Sequence, residues 1–316
     1  MMKSIRVIRV VISLLLLLTM LTAAQESTNN KTVFPVLTGS YFGQTPPGST
    51  PELFAPEIFN GANGYHTPII FSPDLTEAVW SPMEMKANLM YSKMTNGVWS
   101  TPIELNFGFE RGTGDGAFSP DGQELYFVSF QPPQPGAPER ERIWFVKRNE
   151  DSWLTPHLID DVIVTHPTHW TFSFAKNKNL YFTSEIDGVR GEQDIYVARF
   201  DGEKYLPPED IGEAINSDGK DLAPYIAPDE SYLIFTRIGK NTKKTDSYIS
   251  FKMNDGTWSD AIDMGTPINS DYHDLAPVVT PDGKYLFFLS QREGDNRIYW
   301  VDTKIIEELR LKVKNN

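Results

Sequence analysis

From Tyr65 onward the chain alternates apolar and polar positions in short runs separated by turn residues, and the runs recur in one order. The most regular run has the form apolar-x-aromatic-x-Ser. Its copies are Leu125-Tyr126-Phe127-Val128-Ser129, Leu180–Ser184 and Leu286–Ser290, with Leu233–Arg237 and Glu77–Ser81 as looser versions. Period-two alternation rich in aromatic and β-branched residues predicts half-buried strands. Before each run stands a turn: Phe71-Ser72-Pro73-Asp74, Phe118-Ser119-Pro120-Asp121, Ile226-Ala227-Pro228-Asp229 and Val279-Thr280-Pro281-Asp282. A degenerate copy, Phe172-Ser173-Phe174-Ala175, fills the gap, so the period runs from 47 to 54 residues. Proline and aspartate set the turn, and a strand on either side makes a hairpin.

A third run follows each time: Leu89–Lys93, Ile143–Lys147, Ile195–Arg199, Tyr248–Lys252 and Ile298–Asp302. A fourth carries one aromatic, usually with proline behind it: Trp99 with Pro102, Trp153 with Pro156, Tyr205 with Pro207, and Trp258. Asn96-Gly97, Asp201-Gly202 and Asp255-Gly256 precede it and supply the left-handed residues of a tight hairpin.

Counting these runs predicts the topology. First, second and third runs number five each, but only four fourth runs lie inside the repeats; the fifth match, Leu53-Phe54-Ala55-Pro56, lies upstream of them all. The expectation is therefore an all-β protein, a single β-propeller of five four-stranded blades over residues 51–302. An N-terminal strand completes the last blade and removes two exposed sheet edges. A sixth blade, the alternative, would have to come from Lys31–Pro51 and the tail, neither of which contains the repeat. Residues 25–50 read as a turn-rich arm over one face. Residues 303–316 read as a helical tail, with Ile306, Leu309 and Leu311 on its packing side.

The Phe-Ser-Pro-Asp-Gly turn followed by Leu-Tyr-Phe-x-Ser resembles the WD40-like β-propeller repeat of exported bacterial proteins, the TolB-type repeat. The resemblance spans Leu53–Asp302. It implies a binding or scaffolding propeller, some relatives preceding a separate enzyme domain. TolB-type rings have six blades, so the five expected here are a departure.

Composition adds a compartment. Lys3, Arg6 and Arg9 precede an apolar stretch, Val10–Leu21, and Thr22-Ala23-Ala24 offers small residues for cleavage, the pattern of a signal peptide over residues 1–24. The apolar run is shorter than the roughly 20 residues of a membrane span. The expectation is a periplasmic or secreted chain with no span in its mature part. The sequence holds no cysteine, which excludes disulfides, thiol chemistry and a lipid-anchoring cysteine. The formal charge of −13 becomes −16 without the leader's three cations, which disfavours nucleic acid and anionic membranes as partners. A monomer is expected.

Candidate chemistry gathers just before the first strand of each blade, where the channel mouth should lie. Five positions ahead of the turn's first residue stand His66, Thr113, Asp221 and Asp274, with Pro167 in blade three flanked by His166 and His169. Arg111 and Asp115 fall in the matching stretch of blade two, and His273 precedes Asp274. These side chains could hold a protein or glycan ligand by hydrogen bonds, with Tyr65, Trp170, Tyr225 and Tyr272 as stacking surfaces. They could also hold a divalent cation in the channel through oxygen ligands; no cofactor is firmly implied. The repeated Asp-Leu-Ala-Pro of Asp221 and Asp274 equally fits a structural role, because architecture repeats and catalytic sites do not. The alternative function is a glycosidase using Asp115, Asp221 or Asp274, which needs two carboxyls about 5 to 9 Å apart. Against it, no acid stands in a setting clearly unlike its repeat mates. Gln131–Arg142, long, proline-rich and charged, is a candidate recognition loop. No Gly-x-Ser-x-Gly, His-Glu-x-x-His or phosphate-binding loop is present.

Overall fold

Five antiparallel sheets succeed one another along the chain in the computed structural model, which describes residues 34–314 apart from 62, 85, 151, 160, 165 and 187–189. The expected signal peptide lies outside these residues. Blade one consists of Tyr65–Phe71, Glu77–Pro82, Met90–Thr95 and Ile103–Glu104, ordered from the channel outward. Blade two is Gly114–Phe118, Glu124–Ser129, Arg142–Asn149 and His157–Leu158. Blade three is Thr168–Phe174, Leu180–Ser184, Asp194–Ala198 and Glu209–Asp210; blade four is Lys220–Ile226, Tyr232–Ile238, Thr245–Phe251 and Ile262–Asp263. Blade five is Asp274–Val279, Tyr285–Ser290 and Arg297–Asp302, completed by Glu52–Leu53 from the N-terminal side. Glu52 faces Trp300 and Leu53 faces Tyr299. The molecule is thus a five-bladed β-propeller closed by an N-terminal strand.

Two details depart from expectation. The aromatic of the fourth run forms only the hairpin, as Trp99 does opposite Met94. The outer strand proper lies beyond the proline, because a residue without an N–H cannot continue the ladder. Blade three is also shifted by two residues. Phe174 pairs with Leu180 as Ile226 pairs with Leu233, so its turn is Phe174-Ala175-Lys176-Asn177, closed by Ala175 N–H to Asn179 O at 3.0 Å. Lys178 there takes φ 68°, the conformation of Leu75, Gly122, Glu230 and Gly283 in the other blades. Phe172 and Phe174 alternate identically, and a shift of two preserves which face is apolar, so pattern alone could not choose between them.

The core lies between blades. Val79 and Leu89 of blade one pack with Phe118, Leu125 and Phe127 of blade two, and Ile234, Ile249 and Phe251 of blade four with Leu286, Phe288 and Val301 of blade five. A hydroxyl stitches each of three seams. Ser81 Oγ, Thr183 Oγ1 and Thr236 Oγ1 accept the N–H of Asp115, Ala223 and Ala276 at 2.9, 3.1 and 2.9 Å. Those three acceptor-facing residues are bulged and left-handed, with φ of 50°, 53° and 52°.

The arm does more than cross a face. Trp99 N–H and Nε1–H donate to Leu37 O and Gly39 O, and Phe42 stacks on Trp99 with centroids 4.1 Å apart. Tyr41 packs on Tyr285 and Trp300 of blade five, so the segment clasps the seam between the last blade and the first. At the other end, Lys304–Lys314 is helical and buries Ile306 and Leu309 against blade four and five residues; Leu311, expected beside them, is exposed.

Candidate functional site

Blades four and five show how this scaffold closes its mouth side. Asp221 is fully buried, accepts Ser217 N–H and Oγ–H at 2.6 and 2.7 Å, and pairs with Arg237 Nε at 2.6 Å. Asp274 does the same with Ser270 and with Arg292 Nη2 at 2.9 Å. Each guanidinium also donates to a carbonyl of the preceding loop, Ile215 or Ile268, and lies over an aromatic pair. The arginines come from different places, 237 inside a strand and 292 in a loop, yet seal the same space. Both aspartates are saturated by partners of their own blade.

Blade two lacks this plug. Thr113 stands at the aspartate's rung and accepts Leu89 N–H at 3.1 Å. Its blade instead carries a carboxylate two residues on, Asp115, at the bulge position that holds Ala223 and Ala276 in blades four and five. The side chain of Asp115 is fully buried. Its Oδ1 accepts the His66 Nδ1–H at 2.8 Å, while Oδ2 is buried with no hydrogen-bond partner among the described residues. The left-handed backbone is shared with Ala223 and Ala276 and is tolerated better by aspartate than by alanine, so what the carboxylate is held against here is desolvation. An acid does therefore differ from its repeat mates. The difference was hidden because Asp115 lies off the repeated position.

Above this pair opens a cleft of about 510 Å3, lined by His66, Met83, Arg111, Phe130, Glu139 and Glu141 among others. The loop 131–142 forms one wall: Glu139 pairs with Arg111 across 28 residues. Arg142, buried beneath, ties the loop down through Pro138 O and Arg140 O at 3.0 and 3.1 Å. Gly112 forms part of the floor. With φ 71° it packs so closely on the backbone of Lys86 and Ala87 that a Cβ would collide with them. The carboxylate of Asp115, helped by Glu141, raises the pKa of His66 to about 9 in spite of partial burial, so the imidazole is a cation at neutral pH.

The structure thus brings His66, Arg111 and Asp115 into one cleft and leaves the other expected residues elsewhere. His273 lies with Nδ1 3.2 Å from the N–H of Thr245. His166 packs its ring toward Phe182 and Tyr196. His169 lies on the inner strand of blade three opposite Thr183, and its side chain falls outside the described part. Met83, Glu84, Lys86, Phe130, Glu139 and Glu141 are among the cleft residues that spacing did not single out, although the length of loop 131–142 pointed toward Glu139 and Glu141.

Asp115 is the acid that reaches the channel, at its mouth-side narrowing, and among the described residues no acid lines the turn side. The turn-side half of the channel is an apolar chamber of about 280 Å3 walled by residues such as Ile70, Phe174, Tyr225 and Val278. Toward the mouth it narrows to a pocket of about 40 Å3. Among the described residues no three His, Asp or Glu side chains are grouped to hold a metal ion.

No protein-family model matches the sequence, and no curated protein matches it. Solved structures do. A putative TolB from Agrobacterium tumefaciens is similar with a TM-score of 0.51 at 18% identity, covering 75% of this chain and 76% of that one. TolB from Acinetobacter baumannii has a TM-score of 0.45 at 15% identity, over 74% of this chain and 53% of that one. An alpha-L-arabinofuranosidase from Lactobacillus brevis has a TM-score of 0.47 at 12% identity, over 75% and 89%. The likeness is one of fold, the β-propeller. Among the described residues no helix is long and apolar enough to cross a membrane.

Proposed function

We propose that this chain is an exported, periplasmic or secreted propeller that binds a protein or glycan ligand on its mouth face, with the cleft over His66 and Asp115 as the seat. One observation carries the reading. The cleft opens in a blade without the Arg–Asp plug of blades four and five, and a buried carboxylate–imidazole pair is built there at the bulge where those blades carry alanine. Its volume lies within the roughly 300–1,000 Å3 of small-ligand pockets. A functional site is asymmetric on a repeated scaffold, and this one is. The leader-like segment Lys3–Ala24 supports export.

Binding is favoured over hydrolysis by the state of the carboxylates. Asp115 is fully enclosed and bonded to His66, Glu139 is paired with Arg111, and Asp221 and Asp274 are saturated in their own blades. Of the four carboxylates that line the cleft, Glu84, Asp115, Glu139 and Glu141, Asp115 and Glu139 are thus already engaged by cations.

The test is to probe the purified chain with a glycan array and a displayed peptide library, each against wild type and Arg111→Ala. Binding on either probe that drops at least tenfold in the variant supports the reading. Indifference of all binding to Arg111→Ala, or the absence of binding on both probes, overturns it.

A further inference from the structure

Exposed aromatic rings are scarce on this molecule. Among the described side chains, only Phe130 and Tyr272 of all the Phe, Tyr and Trp residues show more than a third of their surface, 50% and 56%. Each lines a cleft on the mouth side. Phe130 lies in the cleft of His66, directly after the second strand of blade two. Tyr272 lies in a second cleft of about 640 Å3 between blades four and five, with Asp246, Asp263, Asn269, Asp271 and Arg292. Neither ring is part of the repeat. The residues matching Phe130 after the second strand are Glu185 and Gln291, and the residue matching Tyr272 ahead of Asp221 is Gly219. Non-repetition separates these rings from the architectural aromatics, which are buried.

From this geometry we propose that the mouth-face ligand is a neutral glycan, with Phe130 and Tyr272 as stacking platforms of two saccharide subsites. The inference rests on the mouth-face reading above and names its ligand class. A sugar ring presents a face of C–H bonds, apolar enough to lie on the negative face of an aromatic ring, and a rim of hydroxyls that need acceptors. Carboxylates beside an exposed ring supply them, because an ionised carboxylate offers only acceptors. In the second cleft the amide of Asn269 is spent on Ser247 N–H and O and on Asp263 Oδ1, which also accepts Gly265 N–H at 2.6 Å. Asn216 and Asp210 are bonded in the same way one blade earlier, so the carboxylates of Asp246 and Asp271 are the acceptors beside Tyr272. The Tyr272 backbone is fixed by Ser270 Oγ at 3.2 Å, the hydroxyl that also serves Asp274. The platform is therefore set on a rigid loop rather than a free one. Charge selects the glycan. The formal charge of −13, with Asp246, Asp263 and Asp271 around Tyr272, repels sulfated or uronate chains; Lys244 there is engaged by Asp246 at 2.8 Å, and in the Phe130 cleft the cations His66 and Arg111 are engaged by Asp115 and Glu139.

The test uses the full chain and Tyr272→Ala, Tyr272→Phe, Phe130→Ala and Phe130→Tyr on an array of neutral, uronate-bearing and sulfated oligosaccharides, with the peptide library as a parallel arm. The expected result is binding to a neutral glycan that weakens tenfold or more in each alanine variant and survives largely intact in Tyr272→Phe and Phe130→Tyr. Both positions are exposed, so unchanged melting temperatures should accompany the losses. Binding confined to charged glycans overturns the inference, as does neutral-glycan binding indifferent to both alanine variants. Peptide binding that depends on Arg111 with no glycan bound overturns it too, while leaving the mouth-face reading standing. No binding on any arm sinks both.

Discussion

The Tyr41 hydroxyl donates to Asp282 Oδ1 at 2.7 Å, joining two residues 241 positions apart. Asp282 is the turn aspartate of blade five, and the same oxygen accepts the Thr280 hydroxyl. The clasp at the closing seam is thus bolted to the hairpin turn that it crosses, and burial with this bond pushes the phenol pKa far above its usual value.

Tyr41→Phe should lower stability by about 1 kcal/mol, the net value of one hydrogen bond. Tyr41→Ala should cost about 3 to 5 kcal/mol, since the ring also packs on Phe71, Tyr285 and Trp300. Urea unfolding of the two variants checks both values.

Thr236→Val should cost about 1 to 3 kcal/mol. It keeps the shape but leaves the buried N–H of Ala276 without its acceptor. Thr236→Ser should retain most of the stability, and thermal melts of the pair separate lost bonding from lost packing.

Asp274→Ala should destabilise by about 3 to 5 kcal/mol, because Arg292 would be left largely buried beside vacated space. The double change Asp274→Ala/Arg292→Met should recover part of that loss. A double-mutant cycle by chemical denaturation reads the coupling, and strict additivity of the two changes would count against the plug.

His66 makes stability depend on pH with a definite sign. Its pKa is raised from 6.5 to about 9 by Asp115, so folding binds the proton more tightly. The stabilisation is complete below about pH 6.5 and is lost as pH rises through about 9. The melting temperature should fall across that window in the wild type. His66→Gln should flatten the fall, and Asp115→Ala should return the imidazole titration toward 6.5, as read by NMR. Because His66 reaches solvent, the charge left behind by Asp115→Ala can be hydrated, and folding should survive.

Much of the ring was legible because its signals are local. Ser-Pro-Asp turns, Asn96-Gly97 and the apolar-x-aromatic runs act within a few residues, and counting called for a surplus strand at Leu53–Pro56, which forms slightly earlier, at Glu52–Leu53. Blade three was misplaced by two because Phe172 and Phe174 carry the same pattern. The candidate cleft was only half legible. His66 and Asp115 were singled out by position, yet their pairing depends on a bulge that turns Asp115 where Ala223 and Ala276 stand. The Arg111–Glu139 contact is made by a loop whose fold has no periodic signature. The partners of Asp221 and Asp274, arginines at unequal offsets, could not be read from the tetrapeptide that the two share.

Glu52 and Leu53 are synthesised before any complete blade, but their partners Trp300 and Tyr299 come almost last. A growing chain that has not reached Arg297 can build four sheets but has nothing to zip its first strand onto. Such long-range pairing delays folding, and it makes completion of the ring a check on the whole polypeptide. A chain truncated ahead of its final strand keeps unpaired sheet edges open to other strands, and one that reaches Asp302 covers them.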